Sequence, residues 1–292
     1  MMKIWKKAAT ILLAVCLCLA FAMSAYAATF TDAHGNEIEL DESLEAYTPV
    51  TLTGADNAAR KTETNLGDLW TDALQWFAAS GKINEFFEED DVTAGITQLD
   101  VDEDHIVTLW NGGNLCADIP EGIFGAEQIA EVLPYPNQVA VVYMTGAQLK
   151  EVLEAASQGL PYTEESASAC ASFMQTAGME YTVDLTKEFD PGEAYGDHWF
   201  RANSVNRVTV NSVNGKELED DGCYAVITSN ANFNGMDSSY LFPEAAQENE
   251  HSTITTAVVR DVVWMYLKEV LEGQVPADYE APQGRITLIE AE

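Results

Sequence analysis

Four histidines are the first residues to test for chemistry, because imidazole serves as a metal ligand and as a general base near neutral pH. They stand far apart, at His34, His105, His198 and His251. Asp32-Ala33-His34 has Asp-x-His spacing, and Asp197 adjoins His198. A hydrolytic metal centre needs several such ligands held together, and no further His-rich motif follows either pair. The first reads as a hairpin turn, closed by Gly35 and Asn36, and the second as an isolated pair in a loop. No metal site and no catalytic residue is assigned. Five cysteines occur, at positions 16, 18, 116, 170 and 223, without CxxC spacing. Cys116 reads as a small buried side chain rather than a nucleophile. Nothing resembles a serine nucleophile elbow or a phosphate-cradling loop. The remaining local feature is the Asn111-Gly112-Gly113 turn, where the lack of side chains lets backbone approach another molecule closely.

The elements that must position such residues alternate between strand and helix. Thr29 to Leu40 reads as a hairpin, and Val50 to Leu52 as a strand. Leu66, Leu69, Trp70, Ala73, Leu74 and Phe77 recur at helical spacing, predicting a helix over Asn65 to Ala79 with Thr64 or Asn65 as N-cap. Ile106 to Trp110 reads as a strand, Glu127 to Val132 as a short helix, and Val139 to Tyr143 as a buried strand. Thr145 with Gln148 forms a capping box for a helix closing near Gly159. Strands follow at Met179 to Leu185, Val208 to Val213 and Cys223 to Thr228, with Asn214-Gly215 as a turn signal. The last helix is predicted over Thr255 to Gly273, burying Val259, Val262, Val263, Tyr266 and Val270, and Arg285 to Ile289 as a closing strand. Gln158 to Ala171 and Lys187 to Asn206 read as loops. This is an α/β (mixed α+β) domain over 48–292, behind a hairpin and linker over 28–47.

The first 27 residues read as a secretory signal peptide. Lys3, Lys6 and Lys7 precede an uncharged apolar run from Ala8 to Ala22, and Ala25-Tyr26-Ala27 supplies a small-x-small cleavage site. The expectation is a secreted, extracytoplasmic protein cleaved near Ala27, with no stable membrane insertion afterwards. Three cysteines would then remain, in a compartment that permits disulfides, with no pairing assignable. The chain carries 14 basic against 48 acidic residues, a formal net charge of −34. A field of that sign repels polyanions and excludes nucleic acid as a partner. It also opposes anionic small molecules unless a local cation cluster overcomes it.

Six segments, in order, resemble one known family: ETNLGDLWTDAL from Glu63 to Leu74, NGG from Asn111 to Gly113, VLPYPNQV from Val132 to Val139, MTGAQLKEVLE from Met144 to Glu154, QTAGMEYTVD from Gln175 to Asp184, and Thr228 to Tyr240. Together they are similar to the C-terminal, substrate-binding domain of 5'-nucleotidases, from roughly Val50 to Ile289. The resemblance implies layered mixed sheets and helices. It also implies a domain that holds a nucleotide while a separate metallophosphatase domain, with two divalent metals, hydrolyses the ester. No cofactor is expected in this chain.

Carried over by position, Tyr135 matches a stacking ring and Asn137 its polar partner. Asn111 with Gly113 forms the family's glycine turn, Arg60 stands where the family has arginine, and Asp237 where it has a ligand-binding aspartate. There are departures. Cys116 replaces an arginine, and Ala231 replaces the second stacking ring, with Phe233 as its candidate substitute. Met236-Asp237-Ser238-Ser239 replaces Gly-Gly-Asp-Gly. The expected function is nucleotide or nucleoside binding linked to extracellular nucleotide catabolism, non-catalytic alone, with a separate metallophosphatase-domain protein as a possible partner. The alternatives are an autonomous nucleotide hydrolase, or a secreted interaction module whose ligand site has decayed.

Overall fold

The computed structural model of the protein describes residues 27–31, 35–41 and 44–290. The signal-peptide reading, apart from Ala27, and the Asp32-Ala33-His34 motif lie outside the described residues. The architecture is mixed α/β, as the sequence predicts.

Its centre is a five-stranded sheet. In spatial order the strands are Thr253–Val258, Gln138–Thr145, Cys223–Ser229, Ile106–Asn111 and Met174–Ala177. All neighbours are antiparallel except Cys223–Ser229 beside Ile106–Asn111, which run parallel. Successive strand residues point to opposite faces, so one apolar run serves two cores. Ile106, Trp110, Val141, Tyr143, Ala225 and Ile227 join the buried cluster that holds the helices Asn65–Ala79 and Val259–Glu269. Val107, Leu109, Val142, Met144, Tyr224 and Val226 belong to the other. That second cluster also holds the helices Gly146–Ala156 and Leu241–Glu248 and a three-stranded sheet, Val208–Val213, Met179–Asp184 and Ile286–Ile289.

Local chemistry fixes the helix starts. The Thr64 hydroxyl accepts the Gly67 amide at 3.0 Å. Thr145 and Gln148 form the reciprocal capping box, at 2.8 and 3.2 Å. The N-terminal hairpin forms as Ala27–Thr31 against Glu37–Asp41.

Four readings are corrected. Val50 to Leu52 is not a strand but carries one bridge, Leu52 to Ile119. Thr253–Val258 is a strand, so the last helix begins at Val259 and ends at Glu269. The β-branched run there takes up the free edge of Gln138–Thr145. Val270, beyond that helix, is 41% exposed rather than buried. Within 187–206, read as loop, Pro191–Tyr195 pairs with Trp199–Ala202 as a hairpin.

Two buried charge clusters lock the periphery. Glu154, fully buried, accepts the backbone amides of Asn206, Arg207 and Val208 on one oxygen at 2.8–3.0 Å. Glu63 accepts the amides of Arg285 and Ile286 at 3.0 and 2.9 Å, and Asp68 accepts that of Gln283 at 2.9 Å. The Arg285 guanidinium reaches Asp72 at 2.8 Å and Asp68 at 3.8 Å, which pins the closing strand to the Asn65–Ala79 helix.

Candidate functional site

The parallel strands Ile106–Asn111 and Cys223–Ser229 end on the same side of the sheet, where the antiparallel strand Gln138–Thr145 begins. Three loops therefore meet there, around a cleft of about 740 Å³.

The first loop is the glycine turn. A side chain on Gly112 would overlap the Ala59 carbonyl, and one on Gly113 would come within 2.7 Å of the Ala171 carbonyl. Both positions demand glycine. Gly113 and Asn114 line the cleft. The second loop carries Tyr135 between two prolines, its ring 52% exposed, followed by Asn137. The third begins at Asn230, whose side-chain oxygen accepts the Gln138 amide at 3.2 Å and ties the second and third loops together.

Beyond Asn230 the chain makes one short helical turn, Asn230–Phe233, capped by Ser229. It then reverses through Gly235 and Asp237, both left-handed at φ 79° and 56°. The Met236 amide donates to Ala231, and the Tyr195 hydroxyl from the Pro191–Ala202 hairpin donates to the Gly235 carbonyl at 2.7 Å. This brings Met236, 54% exposed, and Asp237 to the cleft wall.

Arg60 enters from the short helix Ala58–Lys61. Its Nη1 donates to the Ala167 carbonyl at 3.0 Å, and among the described residues the guanidinium has no ion-pair partner. Burial pushes the Asp237 carboxyl above the ordinary carboxylate range, and Arg60 opposes that shift. Among the described residues no group donates to that carboxyl. A second hollow of about 320 Å³ adjoins the cleft at Arg60 and Gly113, and Cys116 opens into it.

Arg60, Gly113, Tyr135, Asn137 and Asp237 thus share one cleft, although more than 170 positions separate the first from the last. Two predicted residues do not join them. Asn111 is 2% exposed and accepts from Asn114 at 2.9 Å, so Asn114 faces the cleft in its place. Phe233 packs against the second core cluster. Two steps along a helical turn rotate a side chain by roughly 200°, so it cannot share the face of Ala231. Cys116, read as buried, is exposed. Sequence reasoning also missed Asn114, Asn230 and Asn234 as lining residues, and it noted Met236 only as a departure from the family pattern.

The sequence profile described as 5'-nucleotidase, C-terminal domain, matches residues 45–246. The chain belongs to the 5'-nucleotidase C-terminal domain family. The trifunctional nucleotide phosphoesterase protein YfkN of Bacillus subtilis is 31% identical over 218 residues, 74% of this chain and 12% of YfkN. Among solved structures, the 5'-nucleotidase precursor of Thermus thermophilus superposes with a TM-score of 0.59 at 20% identity, over 91% of this chain and 55% of that one. The NAD nucleotidase of Haemophilus influenzae gives 0.56 at 13%, over 90% and 48%. The chain therefore spans about half the length of these structures and a much smaller share of YfkN.

The metals of a 5'-nucleotidase catalytic domain do not fit the described residues. No group of three or more His, Cys, Asp or Glu side chains among them could hold an ion. His105 packs on Tyr224, His198 beside Trp199, and His251 lies 3.5 Å from Asp100. No helix among the described residues is long and apolar enough to cross a membrane.

Proposed function

We propose that this 5'-nucleotidase C-terminal-type domain is exported and binds a nucleotide or nucleoside in the service of nucleotide catabolism, without hydrolysing phosphate esters by itself. The observation that carries the reading is the gathering of Tyr135, Asn137, Arg60 and Asp237 around one cleft beside the Gly113 turn. An exposed ring offers a stacking surface worth about 1–3 kcal/mol per base. Amide side chains present donors and acceptors to base edges, and an unpartnered carboxylate accepts from sugar hydroxyls. Hydrolysis would fall to a metallophosphatase domain on another polypeptide.

Calorimetric titration with nucleosides and nucleotides tests binding; no heat at millimolar ligand sinks it. AMP and a generic phosphomonoester, with and without divalent metal, test the second half. Metal-dependent turnover that co-purifies with the protein through several columns overturns the non-catalytic reading. Recovery of the protein outside the cytoplasm, with its N-terminus near Ala28, tests export.

A further inference from the structure

We infer, resting on the binding function proposed above, that the cleft takes an uncharged nucleoside in preference to its 5'-phosphorylated form.

Charge comes first. A phosphate monoester carries about two negative charges at neutral pH, and proteins hold one through forked or clustered cationic donors. Arg60 is the one cation among the described residues that line the cleft. It faces the Asp237 carboxylate across the same space, and part of its donor set is committed to the Ala167 carbonyl. The adjoining hollow adds no cation: Cys116, Asp56 and Asn57 line it with Arg60. The next basic residue, Lys61, donates to the Asp56 carbonyl at 2.8 Å and sits over the Tyr162 ring. Around all of this lies a protein of formal charge −34. A phosphate would enter against the field and meet one arginine already faced by a carboxylate.

The rest of the lining suits a neutral polar ligand. Asn114, Asn230 and Asn234 each have one end of the side-chain amide held by the protein. Asn114 donates to Asn111, Asn230 accepts from Gln138, and Asn234 donates to the Asn230 carbonyl. The other end of each has no protein partner among the described residues. These are oriented dipoles with a free donor or acceptor, matched to base edges and ribose hydroxyls rather than to a dianion. Tyr135 and Met236, from different loops, supply the exposed apolar surface, an aromatic face and a thioether that both pack well on a planar ring.

The experiment is calorimetric titration of the purified protein and of Cys116→Arg with adenosine, guanosine and uridine and with their 5'-monophosphates. For the parent, at least one nucleoside binds tenfold or more tightly than its monophosphate. Cys116→Arg tightens the monophosphate alone and closes most of that gap. Should the variant fail to fold, the same gap measured on the parent narrows as salt is raised from roughly 0.05 to 0.5 M, because screening shortens the reach of the opposing charges. A monophosphate bound as tightly as its nucleoside overturns the inference and leaves the binding reading standing. A gap indifferent to salt also overturns the electrostatic basis. If neither form binds at millimolar concentration, the binding reading itself falls and takes the inference with it.

Discussion

Arg285 and Arg60 both stand near carboxylates, and their surroundings differ in almost every other respect. Arg285 is largely buried, with Asp72 at 2.8 Å, Asp68 at 3.8 Å and the Thr176 carbonyl at 3.0 Å. Its carboxylates are themselves satisfied, Asp68 by the Gln283 amide and Asp72 by the Tyr279 hydroxyl. Arg60 is half-buried, makes one backbone hydrogen bond, and looks toward a carboxyl that no donor satisfies among the described residues. The first cluster is closed and spends its polarity on the chain. The second leaves polarity over for another molecule. Saturation, rather than residue type, separates a structural ion cluster from a site.

The contrast is broken most severely by Arg285→Ala. Removing the guanidinium leaves the Asp72 carboxylate without its cation and the Thr176 carbonyl without its donor, a change that costs about 1.5–3 kcal/mol. Urea denaturation should show a loss in that range, whereas Arg60→Ala should change stability by less than about 0.5 kcal/mol. Equal losses would erase the distinction.

The next effect is one of pH. Burial, with Glu63 beside it, pushes the Asp68 carboxyl up to about 8 from the ordinary 3.8. The folded protein therefore holds a proton that the unfolded chain releases. This group's contribution to stability is full below about pH 4 and is lost progressively as pH rises to about 8. Melting temperature should fall over that window, and Asp68→Asn should flatten the profile. A profile left unchanged by that substitution would refute the shift. Burial raises the Asp237 carboxyl too, so Asp237→Asn should remove a trend of the same sign.

Tyr135→Ala should cost about 1–3 kcal/mol in nucleoside binding while leaving the melting temperature nearly unchanged, since the ring is already half in solvent. The smallest effect is expected for Tyr195→Phe. Losing the hydroxyl that holds Gly235 removes one hydrogen bond worth about 1 kcal/mol, read as a several-fold weakening of binding with the fold intact. A variant that binds as well as the parent would show that the loop needs no tether.

What could be read from the sequence follows the reach of the forces involved. The Asn65–Ala79 helix and the Thr145 cap were legible because periodicity and capping act within a few residues. Thr253–Val258 was not, because a β-branched run beside a helix takes its state from a partner strand more than a hundred positions away. The Pro191–Ala202 hairpin escaped for a different reason: its partner strands are adjacent in sequence, but its acidic and aromatic residues give no clean alternation. In the cleft, Arg60, Gly113, Tyr135, Asn137 and Asp237 could be placed by motif. The failures at Asn111, Phe233 and Cys116 concern which way a side chain turns, and helical phase and turn geometry decide that locally. The free ends of Asn114, Asn230 and Asn234 had no sequence signal, because each depends on what happens to hold the opposite end.

The parallel pairing of Ile106–Asn111 with Cys223–Ser229 bears on how such a protein changes over time. Every cleft residue stands on a loop, helical turn or strand start beyond the buried faces of the sheet, so ligand preference and core packing are written in separate stretches of sequence. Drift at Met236, exposed on the cleft wall, can retune what is held without a mutation ever passing through an unfolded ancestor. The same partition makes the exposed position 236 the place where other side chains could be exchanged and new binding selected, while Gly235 and Asp237 keep the left-handed turn and Ser238 and Ser239 stay buried.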